Sequence, residues 1–117
     1  MTVDFSKDKP IYSQLVDRLC GEVIKGELKP GDRLPSVREY ALESGVNVNT
    51  VQRVYKELEA MEMTDTKRGQ GTFITMNEQR IAELRETMKR QLAQSFLASI
   101  EAFGFTKEEI IEVLRNK

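Results

Sequence analysis

Apolar side chains recur at intervals of three and four residues in the first half of the chain, the spacing of helices that bury one face. One run follows Pro10, which suits the first turn of a helix because no amide proton is needed there. Gly26, and then Pro30 with Gly31, end this helix. Its apolar face is formed by Ile11, Leu15, Leu19, Val23 and Ile24. A second run predicts a later helix, whose apolar face is formed by Val51, Val54, Tyr55, Leu58 and Met61.

A shorter helix is predicted between these two. Ser36 and Glu39 have the spacing of a capping box, in which each side chain binds the other residue's backbone amide. Gly45 ends the short helix, and Asn47 or Asn49 opens the next one. The exposed face of that next helix carries Asn49, Thr50, Gln52, Arg53 and Lys56. Two helices joined by a glycine turn, the second with an amide-rich and basic face, predict a helix-turn-helix that can lie in a DNA major groove.

The pattern changes after Met61, where β-branched residues alternate in part with polar ones. Residues 64–67 and 72–75 have the composition of two short strands, and two glycines in the segment between them permit a tight hairpin. The predicted basic tip consists of Lys67, Arg68, Gly69, Gln70 and Gly71. Three helices followed by a basic-tipped hairpin predict a winged helix-turn-helix.

From Asn77 onward the chain is predicted to be helical again. Gly104 ends the first helix, and Thr106 with Glu109 repeats the capping-box spacing before a second one. The apolar positions of these two helices are Ile81, Leu84, Met88, Leu92, Phe96, Ile100, Phe103, Ile110, Ile111 and Leu114. Helices of this size cannot bury such faces alone, and we favour packing across a homodimer over a cap within one chain. The expected organisation is therefore a mainly α fold with a small β-hairpin: a winged domain over residues 1–76 and a helical dimerisation tail over residues 77–117.

Composition and special residues narrow the class of protein. The chain has 117 residues, of which 39% are hydrophobic and 32% charged, as expected for a folded globular protein. It contains no membrane-length apolar run and no secretory leader, so we expect a cytoplasmic protein without membrane partners. Histidine is absent and Cys20 is the single cysteine, so neither a zinc site, a disulfide nor the usual catalytic base is available. We expect a buried Cys20 thiol, no metal or other cofactor, and no enzymatic activity.

The net charge of −1 argues against nucleic-acid binding unless the positive charges are concentrated in one place. The candidates for such a patch are Arg33, Arg38, Arg53, Lys56, Lys67 and Arg68. With so few cations, we expect modest affinity for each monomer and a dependence on dimerisation.

Three segments in this order resemble the DNA-binding domain of the GntR family of bacterial transcription regulators. They are residues 10–15 (PIYSQL), 26–39 (GELKPGDRLPSVRE) and 68–73 (RGQGTF), and the likeness covers about residues 8–75. The segment 46–53 (VNVNTVQR) and the short helical tail look more like the YtrA subfamily. The resemblance implies that Arg38 and the start of the recognition helix approach bases, while Ser36 and the wing hold the backbone and minor groove.

The chain departs from this family pattern at four positions. Val48 and Gln52 stand where many members have arginines, so guanine-reading arginines are not expected there. Gln52 and Asn49 could instead pair with adenine. Glu62 replaces a common glycine, and Thr64 replaces an aliphatic residue before the wing. The last two leave the geometry of the first wing strand open.

The sequence therefore predicts a sequence-specific transcription regulator, a dimeric repressor that binds double-stranded DNA at a two-fold operator. Each recognition helix enters a major groove, each wing reaches the adjacent backbone or minor groove, and the tail sets the half-site separation. The resemblance to YtrA-like proteins implies a transporter operon as target. The near-neutral charge leaves an alternative, a protein-interaction module that retains the winged fold. No polar cluster in the sequence marks an effector site, so the effector stays unknown.

Overall fold

The computed structural model describes residues 9–117, and the first eight residues of the expected N-terminal domain lie outside that range. The element order is α1 (Ile11–Lys25), α2 (Val37–Ser44), α3 (Val48–Ala60), β1 (Thr64–Lys67), β2 (Gly71–Ile74), α4 (Glu78–Ala102) and α5 (Lys107–Arg115). This order confirms the predicted mainly helical fold with a winged helix-turn-helix and two further helices. The chain divides into two compact units between Leu84 and Arg85.

The core of the first unit is built around α3, which contacts α1, α2 and β1. The apolar stripe predicted for α3 is confirmed, since Val51, Val54 and Leu58 are buried. The buried stripe of α1 differs in part from the prediction, because Val16 is buried whereas Ile11 is 45% exposed at the start of the helix.

The helix starts follow the predicted local signals. Ser36 Oγ accepts a hydrogen bond from the Glu39 amide at 3.1 Å, and the Glu39 carboxylate accepts one from the Ser36 amide at 2.9 Å. Of the two asparagines, Asn47 is the cap of α3, and its side-chain oxygen accepts from the Asn49 amide at 2.7 Å. Pro10 lies one residue earlier than predicted, because its ψ of 144° makes it the cap of α1 rather than part of the first turn.

The hairpin loop is one residue shorter than the sequence predicted. Gly71 belongs to β2, where it pairs with Lys67, and the Gln70 amide closes the turn by donating to the Lys67 carbonyl at 2.9 Å. The stem is also hydrogen-bonded along its other edge, to the segment that precedes α2. Gly31 and Leu34 donate to carbonyls of β2, and Ile74 donates back to Asp32. The wing is thus held by main-chain bonds on both sides of β2.

Glu62 takes the place of glycine in the turn that ends α3. Its amide bonds to the Glu59 carbonyl, and the Met63 amide bonds to the Leu58 carbonyl, which together form a Schellman motif. Glu62 itself has a φ of 62°, in the left-handed region that glycine normally fills. Its carboxylate lies 2.6 Å from the Arg80 guanidinium in α4. The chain therefore makes the turn without glycine, and β1 begins two residues later at Thr64.

The second unit contains the rest of α4 together with α5. Gly104 has a φ of 78° just after the end of α4. The capping box predicted for Thr106 and Glu109 is confirmed by reciprocal hydrogen bonds. Ile100 is buried, whereas α5 contains no buried residue. No helix within residues 9–117 is sufficiently long and apolar to span a membrane.

Candidate nucleic-acid interface

The helix that the sequence predicts to contact DNA presents a polar face opposite its buried stripe. At 3.6 residues per turn, Asn49 and Lys56 fall near the middle of this face, with Gln52 toward one edge and Arg53 toward the other. All four side chains are exposed, whereas Thr50 is half-buried. The polar face is therefore a continuous strip along α3.

A groove of about 340 Å³ lies between the start of α2, the polar face of α3 and the wing. Gln52 and Lys56 line it from α3, and Thr66 and Thr72 line it from the two strands. The two threonine hydroxyls lie 3.3 Å apart across the hairpin. The fold thus brings the recognition helix and the wing together, as the helix-turn-helix prediction requires, with Gln52 on the wing side of α3.

The orientation of α3 against α2 is fixed by a residue that the sequence analysis placed only on an apolar face. The Tyr55 hydroxyl donates to the Pro35 carbonyl at 2.6 Å, directly before the Ser36 cap. The Tyr55 ring lies 6.1 Å from that of Tyr40, between ring centroids. Burial raises the pKa of Tyr55 well above its usual value, so its hydroxyl stays a proton donor. A tyrosine on a buried face usually needs such a partner, which is the signal that the sequence offered.

The start of α2 combines a cap with an exposed cation. The hydrogen bonds from Ser36 lower the pKa of Glu39 and hold its carboxylate at the helix start. The Ser36 hydroxyl oxygen in turn accepts from the Glu39 amide, so the cap is reciprocal. Arg38 is exposed in the first turn of α2, and no carboxylate within residues 9–117 lies at ion-pair distance from it.

The wing tip is exposed from Lys67 to Gln70, and its two glycines have different surroundings. Gly69 has a φ of 78°, and a Cβ added to it would have no heavy atom within 4 Å. Gly71 has a φ of 124°, and its added Cβ would lie 2.8 Å from the Arg33 Nε. Both φ values disfavour residues with a Cβ, and at Gly71 the added Cβ would also displace the flexible end of the Arg33 side chain.

Apart from Lys29, the described positive charges of the first unit fall into two groups. Four described cations make ion pairs: Lys9, Arg18, Lys25 and Arg80. No ion pair within the described part of the chain involves the six residues of the predicted patch, namely Arg33, Arg38, Arg53, Lys56, Lys67 and Arg68. Two of the six lie over aromatic rings instead. The patch therefore keeps its charge available for an anionic partner.

The predicted dimerisation positions differ strongly in exposure. Leu84 and Ile100 are already buried within the chain, and Ile81, Met88 and Ile110 are half-buried. The exposed positions are Leu92, Phe96, Phe103, Ile111 and Leu114. The surface that a second chain can reach is consequently smaller than the full apolar pattern indicated.

The remaining candidates for reactive or metal-binding chemistry are the Cys20 thiol and the carboxylates. Cys20 is buried with 2% of its surface exposed, as the sequence predicted, and burial raises its pKa to about 12. A thiol in this state is a core side chain rather than a nucleophile. Among residues 9–117 no group of three His, Cys, Asp or Glu side chains is arranged to hold a metal ion.

Comparison with known proteins assigns the chain to a family. Residues 11–74 match the model of the bacterial regulatory proteins of the gntR family. The chain is 41% identical over 116 residues to the uncharacterized HTH-type transcriptional regulator YhcF of Bacillus subtilis, covering 99% of this chain and 96% of that protein. It is 37% identical over 105 residues to the HTH-type transcriptional repressor YtrA of the same organism, covering 85% and 81% of the two chains.

A solved structure supports the same assignment over almost the whole chain. The GntR family transcriptional regulator from Listeria monocytogenes is 38% identical, covers 97% of this chain and 99% of its own, and superposes with a TM-score of 0.87. The relatives are transcriptional regulators and not enzymes. The matched segment contains the helix-turn-helix and the wing, and so the chain belongs to the GntR family of DNA-binding transcriptional regulators, within the YtrA-like subfamily.

Proposed function

We propose that the protein is a dimeric repressor that occupies a two-fold operator and blocks a promoter. In this proposal the winged domain of residues 1–76 binds DNA, and residues 77–117 join two copies. Each α3 lies in a major groove, and each wing contacts the adjacent backbone or minor groove. The protein acts in the cytoplasm, where its operator DNA is.

The single observation that carries the dimer proposal is the exposed apolar surface of the second unit. Leu92 is 66% exposed, Phe103 79% and Val113 65%. Exposed large apolar side chains in this number on two neighbouring helices are typical of an interaction surface. The nine-residue α5 has no buried residue, and a helix of that length is marginal without tertiary packing. A second copy of this chain would cover the exposed apolar side chains and give α5 a packing partner.

The polar strip on α3 supports DNA reading through amides rather than arginines. Asn49 and Gln52 can each pair with the N6 and N7 edge of adenine. Val48 is 39% exposed at the start of α3 and can only make apolar contacts, such as with a thymine methyl group. We therefore propose an operator half-site that contains A·T pairs under the first two turns of α3, with Arg38 contacting a base from α2.

The repressor role rests on the likeness to YtrA, whose name describes a transcriptional repressor. The likeness to YtrA-like proteins also leads us to propose a transporter operon beside the protein's own gene as its target. A repressor that acts by occupying its operator needs only DNA binding to prevent access to a promoter. Transcription of the adjacent operon should consequently rise when the gene is deleted and fall again on complementation.

The first test is a gel shift with the DNA upstream of the protein's own gene, beside a scrambled duplex, at two salt concentrations. We expect a specific shift that weakens at the higher salt, because phosphate contacts release counterions. Arg38→Ala should reduce specific affinity by a factor of about 5 to 150, the range for loss of a good base contact. Lys25→Ala is the charge-matched control, since Lys25 lies outside the predicted patch and is ion-paired with Glu27.

The outcomes separate the proposed regulator from the interaction module. A specific, salt-sensitive shift that Arg38→Ala removes and Lys25→Ala retains supports the proposal. A folded dimer that shifts no duplex at any concentration would instead favour a protein partner for the same surface.

A further inference from the structure

The Arg53 side chain is held in place by a residue from a different helix. Its guanidinium carbon lies 3.6 Å from the centroid of the Tyr12 ring, the distance of a close cation–π contact. Tyr12 belongs to the first turn of α1 and is half-buried, whereas Arg53 is exposed on α3. The contact therefore fixes an otherwise mobile cation on the edge of α3 that faces α1.

This contact leaves the hydrogen-bonding capacity of Arg53 unused. The five N–H donors of a guanidinium lie in its plane, so an aromatic ring beneath one face does not occupy them. No hydrogen bond or ion pair within residues 9–117 engages Arg53. By contrast, Arg18 and Arg80 are each paired with a carboxylate. Within residues 9–117, Arg53 is thus oriented and has no hydrogen-bond or ion-pair partner, which is the state of a preformed anion contact.

The position of Arg53 on α3 indicates which part of DNA it reaches. Residues in the middle of a helix face point to the base edges when the helix lies in the major groove, whereas residues at its margins lie closer to the groove walls. Asn49 and Lys56 occupy the middle of the polar face. Arg53 lies at one margin, where the Tyr12 contact holds it on the α1 side, whereas Gln52 at the other margin has no such ring contact within residues 9–117. The groove wall consists of phosphodiesters, for which the planar guanidinium is well suited.

We propose that Tyr12 is a positioning residue for DNA binding, and that it holds Arg53 for a backbone phosphate at the edge of the major groove. The inference rests on the proposed placement of α3 in that groove. Because the Arg53 rotamer is restricted before DNA arrives, less side-chain freedom is lost on binding. Lys67 has a looser arrangement, with its ammonium 5.2 Å from the Phe73 ring centroid, and no aromatic contact involving Lys56 occurs in the described chain.

The test is a double-mutant cycle in the full chain, with dissociation constants measured by fluorescence anisotropy on the upstream duplex and a scrambled duplex over a salt series. Arg53→Gln should weaken binding to both duplexes by similar factors and reduce the slope of log affinity against log salt by about one. Tyr12→Leu should weaken binding by about 2- to 5-fold, the range for an exposed cation–π contact. Tyr12→Phe retains the ring and should bind within about 2-fold of the original protein.

The decisive measurement is the dissociation constant of the Tyr12→Leu, Arg53→Gln double variant, compared with those of the two single variants. If Tyr12 acts through Arg53, Tyr12→Leu should have little further effect in the Arg53→Gln background. Lys56→Gln is the matched control cation on the same face, and its effect should add to that of Tyr12→Leu. Circular dichroism melting of every variant separates loss of DNA binding from loss of folding, and Tyr12→Phe remains informative if Tyr12→Leu unfolds.

Each failure has a distinct signature. Additive effects of Tyr12→Leu and Arg53→Gln, or equal losses for Tyr12→Phe and Tyr12→Leu, would overturn the positioning role while leaving DNA binding intact. An unchanged salt slope in Arg53→Gln would overturn the phosphate contact. Failure of the original protein to bind any duplex would overturn the DNA-binding proposal itself, and the positioning role with it.

Discussion

At the scale of single residues, Glu62 combines an unfavourable backbone conformation with a favourable contact. A left-handed conformation costs a residue with a Cβ roughly 1–2 kcal/mol. The ion pair between Glu62 and Arg80 offsets little of this cost. Exposed ion pairs contribute about 0–1 kcal/mol to stability, and the Glu62 side chain is 66% exposed. The turn is therefore stabilised chiefly by its two main-chain hydrogen bonds and by burial of Leu58 and Met63.

Replacement of Glu62 should separate the cost of the left-handed backbone from the contribution of the ion pair with Arg80. Glu62→Gly relieves the backbone and loses the ion pair, and we expect the free energy of unfolding to rise by about 0.5–1 kcal/mol. Glu62→Ala keeps the strain and loses the pair, so it should lower that free energy by about 0.5 kcal/mol. Urea denaturation of both variants measures the difference. A lower stability for Glu62→Gly than for Glu62→Ala would show that the conformation is not strained.

At the scale of elements, short sequence motifs predicted the helix boundaries, whereas contacts between segments far apart in the sequence could not be predicted. Ser36 with Glu39 and Thr106 with Glu109 were predictable, because a capping box involves residues three apart. The pairing of residues 31–34 with β2 was not, since it joins segments 38 to 43 residues apart without a distinctive composition. The Tyr55 bond to Pro35 and the Tyr12 contact with Arg53 escaped prediction for the same reason.

The base of the wing provides a test at this scale. Gly71→Ala puts a Cβ at a φ of 124°, which residues with a Cβ rarely adopt, and displaces the flexible end of Arg33, so we expect a loss of about 1–3 kcal/mol in unfolding free energy. Gly69→Ala carries only the cost of a left-handed conformation, about 1 kcal/mol, because its Cβ meets nothing. Thermal and urea melts compare the two variants.

A double variant identifies the cause of the Gly71→Ala effect. Arg33→Ala removes the crowding, so it should recover part of the stability lost by Gly71→Ala and none of that lost by Gly69→Ala. Equal losses for the two glycine variants would mean that backbone conformation alone governs the wing.

At the scale of the whole molecule, the proposed dimer would reconcile a near-neutral chain with DNA binding. The net charge is −1, and the unpaired cations of one winged unit can contact few phosphates. Two linked units would double those contacts and add the affinity of a second half-site through a high effective concentration. The apolar pattern of the tail predicted such pairing from sequence, but it could not distinguish Ile100, which the chain buries itself, from the exposed Leu92.

Leu92→Glu places a charge in the proposed interface and tests the dimer directly. We expect sedimentation equilibrium to give a monomer, and affinity for the upstream duplex to fall about 100-fold or more, because avidity commonly contributes that much. Gln91→Glu is the control, an exposed neighbour that adds the same charge outside the apolar set. An original protein that sediments as a monomer, or a Leu92→Glu variant that remains dimeric, would contradict the proposed role of the tail.

The main-chain bonds on both edges of β2 have a consequence for how such a regulator can diverge. The stem of the wing is held by main-chain bonds from Gly31, Leu34 and Ile74, which need no particular side chain at the tip. Residues 68–70 at the tip take no part in holding the stem to the segment before α2. Mutations at Arg68 and Gln70, which flank the left-handed Gly69, can accumulate without dislodging the hairpin. A lineage can therefore acquire new operator preferences through the wing while its fold stays the same.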